Sequence, residues 1–381
     1  MHLSTLRLRN FRNHADSYFE LGEGTNVLLG DNGEGKTNVM EAISYLSLTK
    51  SFHATTDSAG VLNGQDIFEI DGVLVSDHGD DHRIRVAYQQ STGEKVYSID
   101  RSHIQPLLSV IGRFPIVISS PEHSAITSGA PVDRRKFVDF VISQSNAVYF
   151  ETLLEYRRVI RHRNKVLLDG KLSRRDPGSL LDPWDEQLIK HGSFIMMRRM
   201  RFVEEFQQFM ESSYHHLVGG EEEPTIEYKP VSPITGVRDE DEVRSIVQSE
   251  LVSKSLEEKR TGSTLVGPHR DEFALKINGL DLRTYASQGQ HKTFLVALKI
   301  GEFFYLKERC QETPVMLLDD VFSELDEHRG RRLLDFVGDL SQAFITTTNP
   351  HYFDDAMTFA DRNRVFRIRQ GNVVIENTAI V

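Results

Sequence analysis

Eight consecutive residues, Gly30-Asp31-Asn32-Gly33-Glu34-Gly35-Lys36-Thr37, have the types and spacing of a loop that holds a polyphosphate. Backbone N–H groups of a glycine-rich turn at a helix N-terminus converge on one place, and the helix dipole favours an anion there. Gly30, Gly33 and Gly35 let the backbone adopt positive φ and approach phosphate closely. Lys36 reaches the β- and γ-phosphates, the Thr37 hydroxyl is placed for Mg²⁺, and Asn38 continues the loop into the helix. The alternative is a chance glycine-rich turn. Alone, the string fits ATP or GTP equally.

Two further constellations narrow the chemistry. Val315-Met316-Leu317-Leu318 reads as a buried parallel strand ending at Asp319-Asp320. Ligands of such sheets sit at the carboxyl ends of strands. Asp319 is then placed to hold Mg²⁺ through water, opposite Thr37. Asp320 points toward the attacking water and is a candidate general base. Without the loop, a solvated acidic turn would explain these residues better. Ser287-Gln288-Gly289-Gln290 opens a helix about thirty residues before Asp319. Its hydroxyl and backbone N–H groups make a second anion site. One γ-phosphate has no need of two such sites within a chain, but two facing chains could each complete the other's. An ordinary N-cap is the competing explanation.

The surrounding elements must position these groups. A strand at Thr25–Leu29 enters the loop, and the periodicity predicts a helix over Lys36–Leu48, with Val39, Ile43 and Leu46 on one face. Another strand is read at Leu3–Leu8. Ile67–Val75, Arg83–Gln89 and Lys95–Ile99 read as an antiparallel meander, and Phe114–Ile118 as a further strand. From about Asp133 the period is helical, with a long helix from Trp184 to His215 and no sustained heptads. Gly219–Glu242 reads as a polar stretch followed by a short helix. Asn278-Gly279 predicts a tight hairpin between Phe273–Ile277 and Leu280–Leu282. A helix over Gln288–Cys310, the aspartate strand, a helix over Glu327–Leu340 and a strand at Ala343–Thr347 resume β-α-β alternation. The expected fold class is α/β. Residues 1–130 and 262–381 form a discontinuous nucleotide-binding head, and residues 131–261 a mainly helical insert.

Composition sets limits. The chain has 381 residues, 39% apolar content and a net charge of −11. Its apolar runs are too short to span a bilayer, and its N-terminus lacks a secretory apolar core. The single cysteine, Cys310, excludes an intramolecular disulfide. A cytoplasmic setting without a membrane partner is expected. Between Arg157 and Arg201 twelve Lys/Arg face five Asp/Glu, a local net of +7, whereas Glu204–Glu258 has four against fourteen, a net of −10. Arg157, Arg158, Arg161, Arg163 and Lys165, with Arg198, Arg199 and Arg201, are candidate phosphate contacts. Arg157, Arg161 and Lys165 share a helix face. Internal pairing with the acidic segment is the competing reading.

Together the loop, the Ser-Gln-Gly-Gln signature, the Asp-Asp strand end and Ser323-Glu324-Leu325-Asp326 resemble the ATP-binding-cassette ATPases. Asn10-Phe11-Arg12-Asn13, Glu41-Ala42-Ile43 and Gly267-Pro268-His269-Arg270-Asp271 sharpen the resemblance. They are similar to the head domains of the chromosome-maintenance and break-repair ATPases, and within these to the RecF family of bacterial recombination mediators. The resemblance runs essentially end to end. It implies a P-loop ATPase head with an antiparallel β subdomain, an inserted helical domain and no long coiled coil. It also implies ATP and Mg²⁺ as cofactors, a homodimer formed with ATP, and weak DNA-stimulated hydrolysis. It implies sequence-independent binding of gapped or single-stranded DNA in replication, repair, recombination and the SOS response, with RecO and RecR as partners in loading RecA.

Two departures from the wider cassette pattern bear on rate. Thr346-Thr347-Thr348-Asn349 stands where a switch histidine is usual, and Ser119-Ser120-Pro121-Glu122 where a glutamine is usual. Asp320 also replaces the commoner, longer glutamate. Slow hydrolysis suited to a clamp is expected. A transporter ATPase subunit and a nucleoside kinase are the readings outside DNA repair. The first usually carries the missing histidine and glutamine, and the second has no use for the Ser287 signature.

Overall fold

The computed structural model describes residues 1–220, 222–324, 327–338, 342–349 and 362–375. The proposed Ser323–Asp326 motif runs into residues outside this set, as does the end of the helix expected to reach Leu340. The chain divides into two compact units. One comprises Met1–Ser124, Ser212–Glu221 and Gln288–Val381, and the other Ala125–Glu211 and Glu222–Ser287.

The first unit holds two six-stranded sheets. In one, the order is Asn372–Ile375, Arg364–Arg369, Thr25–Leu29, Gln342–Thr347, Val315–Leu318, Ile116–Ser119. Every pairing in it is parallel except that of the terminal hairpin. The strands Thr25–Leu29, Val315–Leu318 and Gln342–Thr347 are buried at every residue, as the continuous apolar runs of a doubly covered parallel sheet require. Both the phosphate loop and Asp319 leave this sheet at carboxyl ends of strands. The other sheet is antiparallel, in the order His14–Glu20, His2–Phe11, Ile67–Val75, Asp81–Gln89, Glu94–Ile99, Ser102–His103. Its alternating burial along Ile67–Val75 is that of a strand covered on one face.

The helix Lys36–Leu48 packs against both sheets. Gly72 has a packing reason: a Cβ there would lie 2.5 Å from Leu46 Cδ1. The C-terminal hairpin Arg364–Ile375 extends the parallel sheet beside Thr25–Leu29 and had no counterpart in the sequence reading.

The second unit contains the helices Pro131–Ser145 and Ala147–Ser173, most of Asp182–Val218, and Glu240–Thr261. It also contains a three-stranded antiparallel sheet. Here the structure departs from the expected boundaries. Pro224–Lys229, inside the supposed polar stretch, is a strand that pairs with Glu272–Ile277. That pairing carries the hairpin into the second unit, which extends to Ser287 rather than ending at 261. The helix after the polar stretch spans 22 residues and is not short.

A buried polar cluster ties this unit together. The Arg199 side chain is 3% exposed. It donates to Asp139 at 2.8 Å and to the Pro268 carbonyl at 2.6 Å, and lies 3.5 Å from Asp271. Tyr149 donates to Asp139 at 2.6 Å, and the Val231 N–H to Asp271 at 2.9 Å. The Gly267–Asp271 motif is thereby clamped beneath two helices. Removing one partner of a buried ion pair leaves an uncompensated charge, at a cost of about 3–5 kcal/mol. Arg199→Leu is therefore expected to lower the midpoint of thermal unfolding by several degrees, and an unchanged midpoint would contradict this role.

Candidate nucleotide site

The phosphate loop leaves the buried strand Thr25–Leu29 and enters the helix at Lys36. Gly35, the N-cap, has φ 109°, a left-handed backbone that other residues reach only under strain. Lys36 curls back over the loop. Its Nζ donates to the carbonyls of Gly30 at 2.7 Å and Asp31 at 2.8 Å. Burial lowers its pKa, while Asp320 and Asp319 oppose the shift. The cation is thus held where phosphate oxygens would exchange with those carbonyls.

Opposite the loop, the Thr37 hydroxyl donates to the Asp319 carboxylate at 3.0 Å, across 282 residues of chain. Thr346 donates to the same carboxylate oxygen at 2.7 Å. Burial raises the pKa of Asp319, and the Thr346 and Thr37 hydroxyls oppose the rise. A hydroxyl and a carboxylate oxygen brought together in this way suit a hard divalent cation.

Asp320 adopts φ 53°, the left-handed region, immediately after the strand, and its N–H donates to Thr346 Oγ1 at 2.8 Å. Such a conformation costs on the order of 1–3 kcal/mol in a non-glycine residue and re-aims the side chain. A small cavity is lined by Asp319, Asp320, Ser119, Ser120 and Lys292. Ser120 and His123 form a reciprocal capping pair where cassette ATPases usually carry a glutamine. Thr346 and Lys292 were not singled out from the sequence. Thr346 stands in the segment noted for its missing histidine, so its position was the available signal.

Ser287 and Gln288 are exposed, and Gly289 and Gln290 half-buried, at the start of the helix Gln288–Arg309. The Gly30–Asn38 loop, Thr37 and Asp319 are brought together in the first unit, whose helix N-terminus and strand end converge as the sequence required.

The basic candidates in the second unit divide sharply. Arg157, Arg158, Arg161, Lys165 and Arg201 are exposed, and Arg198 is half-buried with its guanidinium 5.1 Å from the Phe194 ring centroid. Arg199 and Arg163 are corrections. Arg163, 2% exposed, is hydrogen-bonded to Asp185 at 2.6 Å and Glu258 at 2.7 Å. Arg199 is sequestered by Asp139 as described above. Neither side chain reaches the surface, so neither is a DNA contact. Internal pairing with acidic residues is what the fold uses them for.

Comparison with known proteins places this architecture. Residues 2–373 match the model of the RecF/RecN/SMC N terminal domain. The DNA replication and repair protein RecF of Salinibacter ruber is 39% identical over 375 residues, covering 97% of this chain and 91% of that protein. The protein of the same name from Chloroherpeton thalassium is 41% identical over 351 residues, covering 91% and 95%. A solved structure of the recombination mediator RecF with ATP, from the RecFOR pathway, superposes with a TM-score of 0.88 at 32% identity, covering 98% of this chain and 97% of the other. An Smc head domain with a coiled coil, from Pyrococcus yayanosii, shares the fold at a TM-score of 0.54 and 12% identity, covering 98% and 96%. The transporter reading finds no support among these. Matched along nearly its whole length by sequence, structure and domain model, the chain belongs to the RecF family of the RecF/RecN/SMC group.

Proposed function

We propose that this protein is an ATP-binding, DNA-binding recombination and repair factor that works as an ATP-driven homodimer. The observation that carries the nucleotide reading is the Thr37–Asp319 hydrogen bond at 3.0 Å beside the Lys36 loop. Loop amides and Lys36 would hold the phosphates. Thr37 and Asp319 would hold Mg²⁺, which supplies charge neutralisation of the phosphate oxygens when bound. Among the described residues, no cluster of three or more His, Cys, Asp or Glu side chains could hold a metal alone. The cation would complete its shell with phosphate oxygens and water.

Asp320 is the candidate base for the attacking water. Its left-handed backbone follows the strand end directly, and the residue lines the small cavity beside Asp319. Asp320→Asn is expected to retain ATP binding while cutting turnover at least about tenfold, within the usual range for a general base. The ATP-bound dimer should then persist. Turnover equal to wild type in a single-round assay would place the base elsewhere.

The signature Ser287–Gln290 would close over the nucleotide of a second copy, with Ser287 and the helix-start amides meeting its γ-phosphate. No described helix is long and apolar enough to cross a membrane. The relatives named DNA replication and repair protein RecF and the structure named for the RecFOR pathway support a RecFOR-type partnership on DNA. RecO and RecR would be the partners, and gapped or single-stranded DNA the substrate.

DNA contact is assigned to the exposed face bearing Arg157, Arg161 and Lys165, with Arg158, Arg198 and Arg201 flanking. Arg157 lies 3.8 Å from Asp139 and Arg158 3.9 Å from Glu155, so both are weakly paired and largely exposed. Contacts of this kind bind the phosphate backbone without reading sequence. Arg161→Glu with Lys165→Glu is expected to weaken affinity for gapped DNA at least about tenfold at low salt and to flatten the salt dependence. Unchanged affinity in a polarisation titration would remove this face from the interface.

A further inference from the structure

The rear of the phosphate loop is held by segments from both ends of the chain. Asn13 Nδ2 donates to the Glu34 carbonyl at 2.9 Å, and the Gly371 N–H donates to Glu34 O at 3.0 Å. The neighbouring Gln370 N–H donates to the Glu34 carboxylate. One residue along, the Gly35 carbonyl lies 3.1 Å from His14 Nε2. A carbonyl only accepts, so the ring carries its proton on Nε2. His14 Nδ1 lies 2.9 Å and the Gly371 carbonyl 2.7 Å from Ser17 Oγ, so with Nε2 carrying the neutral ring's proton the single Ser17 hydroxyl proton is shared between these two acceptors. The path His14–Gly35–Glu34–Gly371–Ser17–His14 is a closed ring.

This ring is buried and tight. His14 is 0% exposed and Ser17 3%. Burial lowers the His14 pKa, against the Gly35 and Gly371 carbonyls. A Cβ at Gly35 would lie 2.5 Å from Asn13 Oδ1, and one at Gly371 would collide with the Asn13 carbonyl oxygen. Gly371 takes φ 73° at the hairpin turn, where a side chain would also be strained. Asn38 Nδ2 donates to Asn13 Oδ1 at 2.8 Å, so the first turn of the helix is fastened to the same strand turn. Apolar residues would pack a sheet edge without desolvating a histidine, a serine and an asparagine. Buried polar groups are tolerated when paired, and these are paired onto the loop.

We propose that His14 and Ser17 are positioning residues of the nucleotide site. They tie the phosphate loop to the C-terminal hairpin turn Gln370–Gly371, so that loop occupancy and hairpin order change together. This rests on the ATP reading above. The amides that face phosphate are those of the loop whose carbonyls the ring grips, and holding donors in place beforehand is what makes them effective. Coupling between binding and order is reciprocal: nucleotide that fixes the loop also fixes the turn.

The test is amide hydrogen exchange on the full chain with and without Mg-ATP, alongside ATP titrations. Bound ATP is expected to slow exchange at Gln370 and Gly371 at least about tenfold in wild type, because both amides donate to Glu34. Ser17→Ala and His14→Ala are expected to weaken ATP binding about tenfold and to lose that protection. His14→Gln keeps a donor toward Gly35 and should recover most of the affinity, which a merely structural role would not require. If His14→Ala fails to fold, Ser17→Ala and Glu34→Ala carry the test. Bound ATP with unaltered exchange at Gln370 and Gly371 overturns the coupling. So does Ser17→Ala with wild-type affinity and intact protection. A wild-type chain that binds no ATP overturns the nucleotide reading itself, and this inference with it.

Discussion

Lys36→Met is expected to weaken ATP binding at least about a hundredfold, close to loss at ordinary concentrations, while leaving the fold intact. Lys36 is 8% exposed, and its stem packs at the helix start where methionine has similar length and flexibility. What methionine lacks is the charge. Nζ donates to the Gly30 and Asp31 carbonyls, which hold it over the loop. A charge-assisted hydrogen bond contributes about 1.5–3 kcal/mol net, and a lysine shared between β- and γ-phosphates makes more than one. Burial lowers the lysine's pKa and the two aspartates oppose this, so the strand end that would hold the metal also helps keep the cation charged. Calorimetric titration with Mg-ATP measures the loss. Affinity within threefold of wild type would mean the loop is not the site.

Ser287→Arg separates binding from assembly. It is expected to bind ATP as wild type and to remain monomeric at protein concentrations where wild type dimerises with ATP. The substitution leaves the loop, Thr37 and Asp319 untouched. It places a long cation at an exposed position where the partner's phosphates would otherwise meet a hydroxyl and helix-start amides. The steric block and the loss of the hydroxyl act together, and hydrolysis should fall with dimerisation because the composite site never closes. Nucleotide affinity from fluorescence titration and mass from sedimentation provide the two readouts. A variant that still dimerises with ATP would remove the signature from the interface.

Much of the site was legible because its residues are constrained locally. A glycine-rich loop between an apolar strand and a helix declares itself in consecutive residues, and the bounds Thr25–Leu29 and Lys36–Leu48 agree with the structure. Val315–Leu318 was legible for the same reason, since four apolar residues ending at two carboxylates admit few readings. Long-range polar pairing was not legible. His14, Ser17 and Gly371 come together only when the first strand turn meets the last hairpin, and nothing in either segment signals the other.

Arg163 and Arg199 were misread for a different reason. Counting charge along the chain makes them part of a basic strip. Helical periodicity contains the correction: Arg199 falls in line with Ile195, Phe202 and Phe206, and Arg163 with Tyr156, Val159 and Leu167, all buried. An arginine on an apolar stripe signals a buried carboxylate somewhere in the fold. The strand Pro224–Lys229 escaped notice because acidic and proline residues mask its alternation, and its burial comes from a partner more than forty residues away.

The central claim is that ATP joins two copies of this chain through loop and signature. Light scattering on the purified protein, with Mg-ATP and with no nucleotide, tests it most directly. The mass is expected to double with ATP, a doubling that Lys36→Met and Ser287→Arg each abolish and that Asp320→Asn prolongs. A mass unchanged by saturating ATP, or a doubling that survives Ser287→Arg, would contradict it.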